Sequence, residues 1–311
     1  MIKEWKNWAT LLLLATIWGS SFLLMKRGMI DKASGDAIFD NNQVGAMRML
    51  FASVVMLPIG LRHIKSFKLR KNILHLSVVA FLGNFIPAFL FTYAETGISS
   101  GYAGMLNSCT PVFTLIIGVL IFKQQLIKLQ VVGVIIGTIG IIWLVNSVSV
   151  VDTTGTFTHV LAVVLATVCY ASSVNTIKYA LYDMKALKLT AMAFSLSFIP
   201  ALILFFYFAT PSTFVTNPHA MEGFWYILVL AVVGTSISVV IFNELIARSS
   251  ALFASSVTYF IPIVAVIIGF LDGEVLTLGQ VLAMFVILAG VFIANVIAKR
   301  KKRQIKNYGE Q

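Results

Sequence analysis

The sequence predicts an all-α polytopic membrane protein, with ten transmembrane helices in two inverted five-helix repeats. Three observations carry that prediction. First, 59% of the 311 residues are hydrophobic and 11% charged, whereas a soluble domain is about half apolar and about a quarter charged. Second, landmarks recur at one spacing: Ala15-Thr16 with Ala166-Thr167, Ala103 with Ala254, Pro111 with Pro262 and Gly118 with Gly269 lie 151 residues apart. Gln130 with Gln280 and Gly140 with Gly290 lie 150 apart, so one residue is gained or lost between. Third, the basic residues fall almost entirely on one side of the expected membrane.

A bilayer core takes about 20 apolar helical residues, and charge clusters and Gly, Pro, Asn or Asp breaks divide the chain accordingly. The first helix, 9–27, ends at Lys26-Arg27; its polar Trp18-Gly19-Ser20-Ser21 and lack of a small-residue cleavage site mark a retained span, not a signal peptide. The second, 43–61, follows Asp40-Asn41-Asn42 and stops at Arg62. The third and fourth, 72–96 and 101–121, are separated only by Gly97-Ile98-Ser99-Ser100-Gly101, enough for a tight hairpin. The fifth, 128–146, runs from Lys128 to Asn146. The second set is expected at 159–179, 187–209, 222–246, 251–271 and 277–298. The repeats therefore occupy 1–150 and 151–311, the latter with a basic tail expected at an anionic leaflet.

With the N-terminus inside, 19 of the 23 Lys and Arg lie in cytoplasmic segments. Only Lys26, Arg27 and Lys32 fall outside, and Arg48 lies within the second helix. This bias puts both termini in the cytoplasm, in a cell membrane of the bacterial inner-membrane kind. The net charge of +11 thus reads as membrane orientation rather than nucleic-acid binding. Five helices being odd, the second repeat enters from the opposite side. Inverted repeats place a site at their interface near mid-membrane.

Several residues carry the resemblance to a known family. They are Ala15-Thr-Ile-Trp-Gly-Ser-Ser-Phe22 with Lys26, Arg48 opening the second helix, and the run Leu245 to Pro262 followed by Gly273-Glu274 and Gln280. Together they resemble the EamA-type transporters of the drug/metabolite transporter superfamily across nearly the whole chain. The resemblance implies ten helices in two inverted repeats and export or exchange of small metabolites. The chain departs from it with Gln124 at the place matching Glu274, and with Glu95 and Glu244 where apolar or aromatic residues are usual.

No Asp, Glu, Lys, Arg or His falls in the middle third of an expected helix. A charge there costs several kcal/mol and is a functional candidate by default, so a mid-membrane carboxylate relay has no residue to run on. Neutral polar and aromatic residues remain: Trp18, Ser21, Asn84, Tyr93, Asn107, Tyr170, Asn175, Ser236 and Tyr259 are the substrate-binding candidates. Each has a plainer reading. A Ser hydroxyl bonds its own helix backbone, an Asn glues two helices, and Trp18 and Tyr170 anchor at the membrane surface. Pro111 and Pro262 each remove a helix hydrogen bond, as packing kinks or as paired hinges. Glu95 and Glu244 are solvated helix ends or gate residues able to exchange a proton, with Lys26 or Arg27 and with Arg248 or Lys178 as partners. Arg48 is expected to cap a packing network or anchor at the interface.

Gly133 and Gly137 form a small-xxx-small pattern, either a helix contact or a homodimer face. Cys109 and Cys169 read as packing residues, with no metal set and no cofactor expected. The partners expected are a small-molecule substrate and lipid. A membrane enzyme would need a nucleophile with a base, an acid pair or metal ligands inside the membrane, and the four His lie in loops or at helix ends. No Gly-x4-Gly-Lys-Ser/Thr is present for ATP. The expected function is secondary transport, exporting amino acids or related neutral or zwitterionic compounds by alternating access. The alternatives are a membrane-embedded enzyme and a non-transporting membrane subunit.

Overall fold

The computed structural model describes residues 2–64, 69–124, 128–147, 156–248 and 257–294. The described residues are helical apart from turns and a single bridge between Ile30 and Ala37. In chain order the helices are α1 Ile2–Met29, α2 Asn41–Ile64, α3 Leu69–Ala80, α4 Ile86–Ala94, α5 Ser100–Asn107, α6 Thr110–Leu120 and α7 Lys128–Asn146. They continue as α8 Thr156–Ala180, α9 Ala186–Tyr207, α10 Thr210–Thr216, α11 Ala220–Ala231, α12 Ser238–Arg248, α13 Val257–Leu271 and α14 Leu278–Phe292.

Among the described residues, seven stretches are long and apolar enough to cross a bilayer: 5–29, 41–63, 72–94, 100–120, 157–180, 186–207 and 220–245. Three shorter apolar helices, Lys128–Leu144, Phe260–Leu271 and Leu278–Phe292, accompany them. Large apolar side chains cover the outside. Val131, Ile135, Ile139 and Ile142 form an exposed stripe along α7 at the i, i+4 and i+3 spacing of one helix face, as do Ile199, Ile203 and Phe206 on α9. Such surface is stable against lipid and not against water.

Two spans are interrupted the same way. Residues 81–85 form a π turn between α3 and α4, and residues 232–237 form another between α11 and α12. A third interruption splits the expected fourth helix at Ser108-Cys109. This alters the reading of Pro111, which stands in the first turn of α6, where a missing N–H costs nothing, rather than deep within a helix. Pro262 does lie inside α13. The hairpin before α5 forms as expected, with Ser99 Oγ accepting the Tyr102 N–H as an N-cap.

The main core joins α1, α5, α8, α13 and α14 through residues such as Leu11, Phe22, Met105, Ile261 and Met284. A second cluster packs α2 on α9 through Met49, Leu50 and Phe194. Cys109 and Cys169 are free. Gly133 and Gly137 are spent within the chain: α7 crosses α14 where Gly133 and Gly137 face Gly290 backbone to backbone. A Cβ added at Gly290 would collide with the α7 backbone, whereas one at Gly279 would meet nothing nearer than 3.5 Å. Gly290→Ala is therefore expected to destabilise by about 1–3 kcal/mol through overpacking, and Gly279→Ala to melt like the parent. Equal melting of both variants would contradict this helix crossing.

Candidate functional site

A cavity of about 900 Å³ lies among α1, α2, α3, α6, α8, α12 and α13. The two π turns shape its wall. Each adds a residue to the helical circuit and frees carbonyls that an α-helix would use, and together they bring Gly83-Asn84 and Gly234-Thr235 to the lining. The paired glycines let neighbouring helices close in, Ser173 against Gly83 and Ser21 against Gly234.

Six of the substrate-binding candidates meet here: Trp18, Ser21, Asn84, Asn107, Tyr170 and Asn175. Trp18 Nε1 donates to the Gly234 carbonyl at 3.2 Å and to Ser238 Oγ at 3.0 Å, and its ring meets Phe242 edge-on at 5.1 Å. Tyr170 stacks on Phe91 at 5.9 Å. Asn84 donates to the Val79 carbonyl at 3.0 Å across the first π turn. Asn175 bridges to the Thr114 carbonyl at 3.0 Å, and Ser21 bonds the Ile17 carbonyl of its own helix at 2.8 Å. The Asn107 carbonyls accept from Thr110. Pro111 also lines the cavity.

The other candidates fall elsewhere. Tyr93 is exposed at the end of α4, stacked on His159 at 4.6 Å with its hydroxyl 3.0 Å from Thr158 Oγ1, as suits an amphipathic ring at a membrane surface. Ser236 is turned away by the π turn and donates to the Ala231 carbonyl at 2.9 Å, while Thr235 takes the lining position. Tyr259 stands on α13, its side chain outside the described residues. Pro262 does not line the cavity.

Arg48 was underrated by sequence. It is buried, lines the cavity, and donates through Nε to Thr235 Oγ1 at 3.0 Å and through Nη1 to Met25 Sδ at 3.5 Å. The available signal was its depth: seven residues past Asn41 is about 10 Å along a helix, beyond an interfacial anchor.

A cluster of ion pairs begins at the residue after Met25 of the lining. Lys26 Nζ lies 2.9 Å from Glu274, whose two oxygens also accept the backbone N–H groups of Ser100 and Gly101 at 2.9 Å each. Asp272 pairs with Arg27 and, at 3.2 Å, with Lys32. Glu95 is buried beside them with no salt bridge among the described residues. Ser100 Oγ donates to one of its oxygens at 3.1 Å and the other oxygen has no partner. Lys26 and Arg27, expected as partners of Glu95, pair instead with Glu274 and Asp272. Burial pushes the Glu274 carboxyl up, yet Lys26 and the Gly101 and Ser100 N–H groups outweigh it and hold the group below its ordinary value. Asp272 is likewise held low, Arg27 and Lys32 overcoming burial.

Elsewhere the lining reaches exposed Lys123 and Lys178. A matching turn sits there. Gln124 N–H bonds the Gly118 carbonyl at 2.9 Å with Lys123 at φ 53°, as Glu274 N–H bonds Gly269 at 2.9 Å with Gly273 at φ 91°. Gln124 accepts only a neutral bond, from Tyr179 Oη at 3.0 Å. Glu244 pairs with Arg248 one helical turn on, at 2.8 Å, both side chains open to solvent.

A model of the EamA-like transporter family matches twice, over residues 6–146 and 157–296. The chain belongs to that family. As an EamA-like protein it is a multi-pass membrane transporter. An uncharacterized transporter of Archaeoglobus fulgidus is 24% identical over 296 residues, covering 95% of this chain and 100% of that protein. An Acidianus ambivalens protein named an uncharacterized transporter in the sor 3′ region is 22% identical over 265 residues, 84% of this chain and 96% of its own. A solved crystal structure at 13% identity superimposes with a TM-score of 0.59 over 93% of this chain and 96% of that one, a likeness of fold alone.

Because Asp272 and Glu274 have lowered values, the stability they add is present above the ordinary carboxylate range and fades as pH falls through those values. Glu274→Gln is expected to lose about 1–3 kcal/mol at neutral pH and to show a shallower acid-side decline in melting temperature than the parent. An unchanged acid limb would mean that Glu274 forms no ion pair in the folded protein.

Proposed function

We propose that this EamA-like protein is a secondary transporter working by alternating access, with ten helices in two inverted repeats over 1–150 and 151–311. The observation that carries the reading is a large cavity whose lining reaches exposed Lys123 and Lys178, with the Lys26–Glu274 pair beginning next to Met25 of the lining and read here as its closed end. The double family match, the π turns 151 residues apart and the shared turns at Gln124 and Glu274 support the duplication. The basic bias assigns the Lys123–Lys178 end to the cytoplasm of a cell membrane, so substrate loads from inside and is exported. Amides of Asn84, Asn107 and Asn175 beside aromatic walls suit amino acids or related neutral or zwitterionic metabolites.

Glu95 is the proton-sensitive element of the closed end, and Glu244, solvated with Arg248, is the secondary gate. Glu95 lies one residue past its span. Burial, then Glu274, raise its carboxyl well above the ordinary value against the opposing pull of Ser100, Lys26 and Arg48. A neutral Glu95 keeps the seal. As pH rises through its raised value it ionises beside Glu274, and like-charge repulsion loosens that end.

Purified protein in liposomes is expected to move amino-acid-like solutes, faster as pH on the Lys26 side rises, and Glu95→Gln is expected to flatten that response. Normal pH dependence in the Gln variant would sink the role of Glu95, and no flux of any solute would sink the transport reading. Single cysteines in 31–42 and 210–221 are expected to react from outside the cell, and those at 62–64 and 181–185 to be protected; the reverse pattern would overturn the orientation.

A further inference from the structure

We infer that the cavity selects organic monoanions, and that Arg48 is the residue that holds their carboxylate. This rests on the reading of the cavity as a substrate site and replaces the neutral or zwitterionic class proposed for it with acids of single negative charge. A guanidinium has five N–H donors. Two of those of Arg48 are used, on Thr235 Oγ1 at 3.0 Å and Met25 Sδ at 3.5 Å; among the described residues no carboxylate lies within salt-bridge distance, and Glu95 acts on it only from beyond that distance. Neither neighbour carries charge. A buried cation with no counter-ion bonded to it is costly unless something in its cavity supplies one, and guanidinium N–H groups form the fork that matches a carboxylate in bidentate fashion.

A second observation points the same way. Among the lining residues the Lys and Arg are Arg48, Lys123 and Lys178, and no Asp or Glu lines the cavity. The charged groups of the lining are therefore all positive, which favours anions over cations, with Glu95 acting on Arg48 from outside the lining. The volume of about 900 Å³ and the Trp18–Phe242 and Phe91–Tyr170 pairs provide for a sizeable apolar remainder, not an inorganic ion. An α-ammonium group meets no carboxylate there, so an acid lacking it should be preferred over the amino acid itself.

The test uses three probes of one carbon skeleton on the full chain: 3-phenylpropanoate as anion, phenylalanine as zwitterion and phenylalaninamide as cation. Binding is read from the shift in melting temperature in detergent, and flux from liposomes. Affinity is expected to fall in that order, by roughly tenfold or more between anion and cation. Arg48→Gln is expected to remove the preference, Arg48→Lys to retain part of it, and Thr235→Val, which keeps the charge but frees its Nε, to weaken anion binding less than Arg48→Gln. Equal binding of all three probes, no binding of the anion, or an undiminished preference in a folded Arg48→Gln variant would each overturn the inference. Should Arg48→Gln not fold, a partial loss of anion preference in Arg48→Lys and Thr235→Val supports it, and full retention in both overturns it. Anion binding without flux would leave the Arg48 site standing and remove the transport reading. Flux indifferent to charge would do the reverse.

Discussion

Glu274 gathers three donors from two other elements: the Lys26 ammonium from α1, and two adjacent backbone N–H groups from the start of α5. A carboxylate this buried is tolerable only when its lone pairs are filled, and the start of a helix supplies both N–H groups and the positive end of a dipole. The arrangement fixes where α1, α5 and α13 converge, and these helices do pack on one another. The position of the short helix α5, whose break leads to Asn107 and Pro111, follows from that convergence.

The same demand for satisfied polar groups explains most of the remaining interior. In hydrocarbon each polar atom must find a partner within the protein. Thr92, Thr167, Ser172 and Thr190 all return their hydroxyls to carbonyls one turn back. Side chains with more hydrogen-bonding capacity than one helix absorbs are used between elements: Trp18 to Gly234, Asn175 to Thr114 and Asn243 to Thr190. These are concentrated around the cavity, where leftover capacity faces a space that a solute can enter.

Much of this was legible in the residues. Helix ends followed charge clusters because a charge is expelled from the apolar core, so the limits at Lys26, Arg62 and Lys178 were close to those observed. Neutral polar residues deep in spans pointed at the cavity for the same reason, and Trp18, Asn84, Asn107 and Asn175 are there. Tyr93 and Ser236 were misplaced because a residue's face depends on the winding of its helix, and a 3.6-residue count does not foresee an inserted residue. Glu274 and Asp272 were passed over because their partners are 248 and 245 residues away in sequence, and nothing local in Asp-Gly-Glu announces them. Arg48 sits in a packing network, as one of its two expected readings had it, bonded to Thr235 and Met25, but that it also lines the cavity was not legible from its position near a helix start.

The π turns bear on how such a chain is read at all. Inserting one residue into a helical circuit rotates everything beyond it by about 100°. An apolar stripe that runs straight in space is thus written in the sequence as two stripes out of phase, joined near Gly83 and again near Gly234. Any periodicity averaged over the whole span partly cancels itself. The phase slip is invisible to composition and is carried by both copies at equivalent sites, so aligning the halves with each other preserves it. An internal comparison therefore reads the geometry of these two spans more faithfully than an ideal helix does.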